Sequence, residues 1–142
     1  MTETRKCHVL IVGAGPGGYV AGIRAGQLGL DTIVVEGDKA GGTCLIRGCI
    51  PSKALLSSSE LYREARKQFS AHGISADGLS MDVPKMMKRK DGVVRKMARG
   101  IDYLMDKNGI ERLAGTGRIA GPSEVEVTGN ACLLYTSDAA DE

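Results

Sequence analysis

The stretch "GAGPGG", Gly13 to Gly18, constrains this chain more than any other. It follows the apolar run "HVLIVG" and leads into the small, helix-permissive run "PGGYVAGIRAGQLG". A second apolar run, "DTIVVE", ends on Glu36, eighteen residues after Gly18. Strand, glycine turn, helix and strand in that order make a βαβ unit, which pairs its strands in parallel through a right-handed crossover. The G-x-G-x-x-G spacing carries weight because it sits in that context. Gly13 permits the tight turn, Gly15 lets the backbone approach a pyrophosphate, and Gly18 lets the helix pack close to the sheet. The unpaired N–H groups at the positive end of the helix face the phosphates. Glu36 accepts hydrogen bonds from a ribose 2′-hydroxyl and repels a 2′-phosphate. Together these residues predict an ADP-containing dinucleotide, and leave NAD and FAD both open.

The next feature lies within fifteen residues of Glu36. "GGTCLIRGCIPSK", residues 41 to 53, sets Cys44 and Cys49 five positions apart. A helical rise over five residues is about 7.5 Å, outside the usual disulfide Cα separation of up to about 6.8 Å. The two can pair only if the backbone folds back, and Gly48 supplies that freedom. Pro51 and Ser52 open a helix, which puts Cys49 at its positive end, where a thiolate is stabilised. Lys53 adds a cation one turn on. Zinc is a weak alternative, since there is no C-x-x-C and neither histidine is near in sequence. Two unrelated buried thiols are the other alternative. A redox pair fits the pattern best, and a cofactor held by the adjoining turn is the natural partner for its electrons.

Composition narrows the classes. The formal charge of +2, from 19 basic and 17 acidic residues, gives no footprint for nucleic acid or an anionic membrane. Tryptophan is absent and Phe69 is the single phenylalanine, which argues against stacking on bases. No apolar run is long enough to span a bilayer. "MTETRKC" carries Glu3 and reaches a strand by residue 8, so neither a signal nor a transit peptide is expected, and the chain reads as cytoplasmic. A disulfide in that reducing compartment is more often catalytic than structural.

Beyond the cysteines, Leu55, Tyr62, Ala65 and Phe69 recur at helical spacing up to His72-Gly73. Another helix is predicted from near Asp82, with Pro84 in its first turn and Val83, Met87, Val94, Met97, Ile101 and Leu104 on its apolar face, ending at Asn108-Gly109. The methionines Met86, Met87, Met97 and Met105 read as packing, and "KMMKRK" as a solvated face. "IERLAG", "GRIAG" and "EVEVT" read as short strands. Cys7 and His8 have no evident partner, and Tyr19 reads as structural. The last eleven residues, "CLLYTSDAADE", fit nothing before them. Reverse-translated, they are similar to a transposase adapter used in preparing sequencing libraries. Residues 131–142 are therefore expected to be a foreign tail after a domain spanning 1–130. That removes Cys132 from the cysteine arithmetic and leaves Cys7, Cys44 and Cys49.

The combination "GAGPGGY…VVE" and "GGTCLIRGCIPSK" resembles the flavin-dependent pyridine nucleotide disulfide oxidoreductases. The resemblance runs from residue 8 to about residue 129 and takes in "PKMMKRKDGVV" and "GTGRIAG". Within the family the chain is most similar to members that oxidise dihydrolipoamide. Mercuric reductases are an alternative, as are glutathione reductases, which typically read V-P-K-K where this chain has "IPSKALL". The resemblance implies an α/β fold: a Rossmann-like FAD-binding domain with a parallel βαβ core, incomplete at its C-terminus. It implies FAD as the bound cofactor and NAD as an acceptor bound outside this chain. Cys44 becomes the interchange thiol, Cys49 the thiolate facing the flavin, and Lys53 a neighbour of the isoalloxazine. Gly42 and Thr43 join Cys44 beside FAD, and Gly117 of "GTG" approaches the cofactor through its backbone. The implied partners are dihydrolipoamide on a lipoyl domain, the other components of 2-oxo acid dehydrogenase complexes, and a second copy in a homodimer. The family's NAD-binding and interface domains, with a His–Glu acid–base pair, are expected outside this chain, which alone should be inactive. A flavin- or nucleotide-binding module without turnover is the contrasting reading. Two departures stand out: Ile46-Arg47 where the family often has Asn-Val, and one residue fewer between Glu36 and Cys44.

Overall fold

A computed structural model of the chain describes residues 3–129 and 132–136. Its parallel core is built from β2 (Val9–Val12), α1 (Pro16–Gln27), β3 (Thr32–Glu36) and, after two further helices, β4 (Glu111–Ala114). The strand order is β2-β3-β4, parallel throughout, with Leu10 opposite Ile33 and Ile33 opposite Glu111. This is the βαβ arrangement that the glycine turn predicts. Between β3 and β4 lie α2 (Gly42–Ile46), α3 (Cys49–Lys67), a 3-10 turn (Phe69–His72) and α4 (Val83–Lys107).

A second sheet covers one face of the first. It orders β1 (Glu3–Cys7), β7 (Cys132–Thr136), β6 (Glu124–Thr128) and β5 (Thr116–Gly121), with β1 parallel to β7 and the other pairs antiparallel. β3 lies between two cores because its side chains alternate. Ile33 and Val35 join Cys7, Val125 and Val127 on the sheet side. Val34 joins Ala14, Leu45, Ile101, Met105 and Ile110 on the helix side. Full burial of each of the β3 side chains is worth roughly 1.5–3 kcal/mol, which makes this strand the centre of the fold.

Several details differ from the sequence reading. β1 was not expected, since Thr4, Arg5 and Lys6 carry no apolar alternation; of Thr4 to Cys7 only Cys7 is buried. β2 is half-buried rather than buried, because it is an edge of its sheet, and Val12 is half exposed. His8 has a partner, as its Nδ1 accepts from the Asp31 N–H at 3.0 Å. Cys7 is a core residue, and burial pushes its thiol up from the ordinary range, with the Asp31 carboxylate adding to the shift and a backbone hydrogen bond from Ile33 opposing it. Tyr19 packs on the helix-side core.

Helix α4 begins as predicted: Asp82 caps it by accepting from the Lys85 N–H at 2.9 Å, and Pro84 lies in its first turn. Its buried face is shifted, however. Val94, Ala98, Ile101 and Met105 face the core, while Val83, Met87, Met97 and Leu104 are exposed. At 25 residues the helix is about 37 Å long, and only its C-terminal half lies over the parallel sheet. Its N-terminal half rests on α3, where Arg89 donates to the Ala54 carbonyl at 3.1 Å. Of the expected foreign tail, residues 131 and 137–142 lie outside the described residues. Cys132–Thr136 form the strand between β1 and β6, two edges that any extended segment can pair with.

Candidate functional site

The dinucleotide turn joins β2 to α1. Gly13 has φ +97°, a conformation that favours glycine, and its N–H donates to the Val35 carbonyl at 2.7 Å. A Cβ on Gly18 would lie 1.8 Å from the Gly13 carbonyl oxygen, so only glycine lets α1 start this close to the turn. Gly15 differs from both. Its φ of −70° and ψ of −175° suit any residue, and a Cβ there would meet no atom within 4 Å. Among the described residues nothing asks for glycine at this position. The open space over it is what a pyrophosphate needs in order to approach the backbone. The first turn of α1 has no side-chain cap and no acidic residue, which leaves its N–H groups for an anion. The residues present therefore fit an ADP-containing group.

Glu36 ends β3 and is half-buried. One carboxylate oxygen accepts from the Ala14 N–H at 2.7 Å and the other from the Asp38 N–H at 2.9 Å. The carboxylate is thereby fixed between the turn and the following loop, with lone pairs left for ribose hydroxyls. A cleft of about 530 Å³ opens here, lined by Ala14, Glu36, Asp38, Lys39, Arg112 and Ala114. It lies at the carboxyl ends of β3 and β4, where open α/β sheets bind ligands. Arg112 is held at its edge by Asp102 and Asp106, at 2.5 and 2.7 Å.

The cysteines come next to the turn through two backbone contacts. The Gly41 N–H donates to the Ala14 carbonyl at 2.8 Å. Gly42, with φ +59°, packs so closely that a Cβ would lie 2.7 Å from the Gly15 Cα. The two glycines thus tie the start of α2 to the dinucleotide turn. Cys44 and Thr43 lie in α2, Cys49 is the first residue of α3, and Lys53 is exposed one turn further on. Cys44 and Cys49 form a disulfide, with a Cα separation of 4.7 Å. The fold-back is real, but Gly48 serves it by closeness rather than by a positive φ. A Cβ at Gly48 would meet the Thr43 carbonyl oxygen at 3.0 Å and the Cys44 Cα at 3.3 Å.

Gly117 lies in β5, beside the end of β2: a Cβ there would meet Val12 at 3.0 Å and Val125 at 3.4 Å, so close packing favours glycine here. The sequence reading missed Gly41, Ala14 and Asp38. The Gly41-Gly42 doublet could have signalled a close approach, whereas Ala14 and Asp38 act through backbone N–H and C=O groups that no side chain announces.

Comparison with known proteins agrees with this geometry. The family described as pyridine nucleotide-disulphide oxidoreductase matches residues 7–136. The chain is 50% identical over 129 residues to a mitochondrial dihydrolipoyl dehydrogenase of Dictyostelium discoideum, covering 90% of this chain and 26% of that protein. It is 55% identical over 115 residues to dihydrolipoyl dehydrogenase of Bacillus subtilis, covering 81% of the chain and 24% of the relative. A leghemoglobin reductase of Glycine max is 48% identical over 120 residues, covering 84% and 23%. The chain therefore spans about a quarter of the length of these relatives. With a matched region of 7–136, a parallel βαβ core and a disulfide tied to its glycine turn, the chain belongs to the pyridine nucleotide-disulphide oxidoreductase family.

Proposed function

We propose that this chain is the FAD-binding part of a dihydrolipoyl dehydrogenase, in which the Cys44–Cys49 disulfide oxidises dihydrolipoamide. The observation that carries the reading is the pair of contacts that set α2 on the dinucleotide turn, Gly41 to Ala14 and Gly42 to Gly15. They put a redox-capable disulfide and a phosphate-binding backbone on one rigid corner. Gly13, Gly15, Gly18 and Glu36 hold the ADP part, and Gly42, Thr43, Cys44 and Lys53 lie towards the flavin part. Gly117, packed on Val12 at the end of β2, approaches the cofactor through its backbone.

A thiolate of the substrate attacks Cys44 Sγ, the Cys44–Cys49 bond breaks, and Cys49 leaves as a thiolate. The second substrate thiol then attacks the substrate sulfur of the mixed disulfide and releases Cys44. The substrate leaves as a cyclic disulfide, and two electrons remain on the cysteine pair. Cys49 is suited to its part because it opens the 19-residue helix α3, whose N-terminal dipole favours the ionised form. FAD, held by Gly13, Gly15, Gly18 and Glu36, would supply the two-electron acceptor for that pair and its link to NAD. Substrate on a lipoyl domain, association with 2-oxo acid dehydrogenase components and a homodimer belong to the same reading. So does the foreign origin of residues 131–142, which sequencing the source DNA through that junction tests directly.

The deciding experiment uses the longer parent enzyme. Cys44→Ser and Cys49→Ser are each expected to abolish dihydrolipoamide oxidation while FAD stays bound, read from the flavin absorbance of the purified variants. Normal turnover by either variant overturns the assignment. Assaying the unsubstituted enzyme on dihydrolipoamide, glutathione disulfide and mercuric ion separates the substrate classes, since equal or better activity on the last two would replace the proposed substrate.

A further inference from the structure

Arg47 lies inside the ring that the disulfide closes, three residues after Cys44 and two before Cys49. Its backbone N–H donates to the Thr43 carbonyl at 2.9 Å and ends α2. Its guanidinium donates to an Asp38 carboxylate oxygen at 2.5 Å. Asp38 belongs to the loop after β3, and its own N–H is held by Glu36. The two side chains are 64% and 46% exposed, so the pair contributes little to stability. Its place in the fold suggests a different use. Arg47 stands three residues from Cys44 and two from Cys49, whose Cα atoms are 4.7 Å apart, so its backbone is tethered within the ring that carries both sulfurs. A unit charge so tethered raises the population of a thiolate, and a neighbouring anion lowers it.

We propose that Arg47 and Asp38 form a charge pair that sets the redox balance of the Cys44–Cys49 couple. Arg47 favours the reduced, ionised couple, while Asp38 anchors the guanidinium and offsets part of its field. Both are positioning residues, and the proposal rests on the reading that this disulfide is the exchanging one. Lys39 in the same loop and Lys53 on α3 add a constant positive background that none of the substitutions below changes.

The signature is a pair of shifts in opposite directions. Asp38→Asn leaves the guanidinium without its counter-charge, so the couple should become easier to reduce. Arg47→Gln leaves the carboxylate without its partner, so the couple should become harder to reduce. Each is expected to move the reduction equilibrium roughly two- to threefold, as one partly screened unit charge does. The double variant should fall between them, and Asp38→Glu and Arg47→Lys should stay near the unsubstituted chain. The measurement equilibrates the 142-residue chain, without flavin, against graded ratios of reduced and oxidised dithiothreitol. Alkylation and mass analysis then give the oxidised fraction. Asp38→Ser and Arg47→Ala repeat the test with different side-chain shapes, which separates charge from local packing. Opposite shifts that follow charge support the proposal. Shifts in one direction, or none, overturn it. The functional reading fails on a different result, namely turnover without Cys44 or Cys49, so the two failures are distinguishable.

Discussion

The corner where β2, α1, β3 and α2 meet and the hairpin made by α3 and α4 use glycine in opposite ways. In the corner, backbone presses on backbone: Gly18 on the Gly13 carbonyl and Gly42 on Gly15. In α4, Gly92 and Gly100 have nothing within 4 Å of a would-be Cβ. Burial follows the same division. Ala14 and Leu45 are almost wholly covered, whereas Leu61, Met81 and Val83 of the hairpin region stand in solvent. Where two backbones touch, one residue type is admissible and the sequence is specified atom by atom. Where a helix lies over open space, helix propensity and a general amphipathic pattern suffice.

The largest expected effect tests the first half of that contrast. Gly18→Ala would put a methyl 1.8 Å from a backbone oxygen, a clash that no side-chain rotation relieves. Either α1 moves off the sheet or the turn opens, and overpacking of that kind costs about 3 kcal/mol. The check is the urea unfolding midpoint of the 142-residue chain. An unchanged midpoint would mean that the turn relaxes freely, and the corner would lose its special status.

This division also governs what the sequence reveals. The βαβ core was legible because its glycine turn stands between two apolar runs, and Gly13 and Gly18 have conformational and steric reasons to be glycine at that spacing. β1 was not legible, since Thr4, Arg5 and Lys6 look like any polar segment until a neighbouring strand pairs with them. α2 is a five-residue helix behind two glycines, and so short a helix has no propensity signal of its own. In α4 the helix was legible and its buried face only in part: Val94 and Ile101 face the core as expected, whereas Leu104 is exposed and its neighbour Met105 is fully buried. At the site, spacing showed that the cysteines could pair only through a fold-back, and the disulfide supplies it. The Asp38–Arg47 pair did not, because nine residues and a loop separate the two, and only the folded chain brings them together.

A smaller effect separates ligand from fold within the corner itself. Gly15→Ala meets no atom of the described residues, so its cost to stability is at most about 1 kcal/mol, as an N-cap glycine replaced by alanine. Its methyl fills the space over the turn. Affinity for ADP, measured by calorimetry on the same chain, should fall about tenfold, equivalent to about 1.4 kcal/mol. Unchanged ADP binding would break the argument that Gly15 is a glycine for the sake of a ligand. A large loss of stability would make Gly15 a second Gly18.

The smallest expected effect has the opposite sign. Gly100 lies deep in α4, exposed, with a helical backbone and open space on its Cβ side. Glycine in such a place is unfavourable, because the unfolded chain loses more freedom on entering the helix than alanine would. Gly100→Ala should therefore raise the stability of the 142-residue chain by about 0.5–1 kcal/mol, read as a higher urea midpoint with unchanged slope. The same substitution in the longer parent polypeptide sharpens the comparison. If it stabilises there too, the hairpin face at Gly100 is open in the whole protein, and glycine is merely tolerated. If it destabilises there while stabilising the shorter chain, another part of the polypeptide comes close to this helix face. Gly100 would then obey the rule of the corner, close approach, with the neighbour supplied from outside the 142 residues.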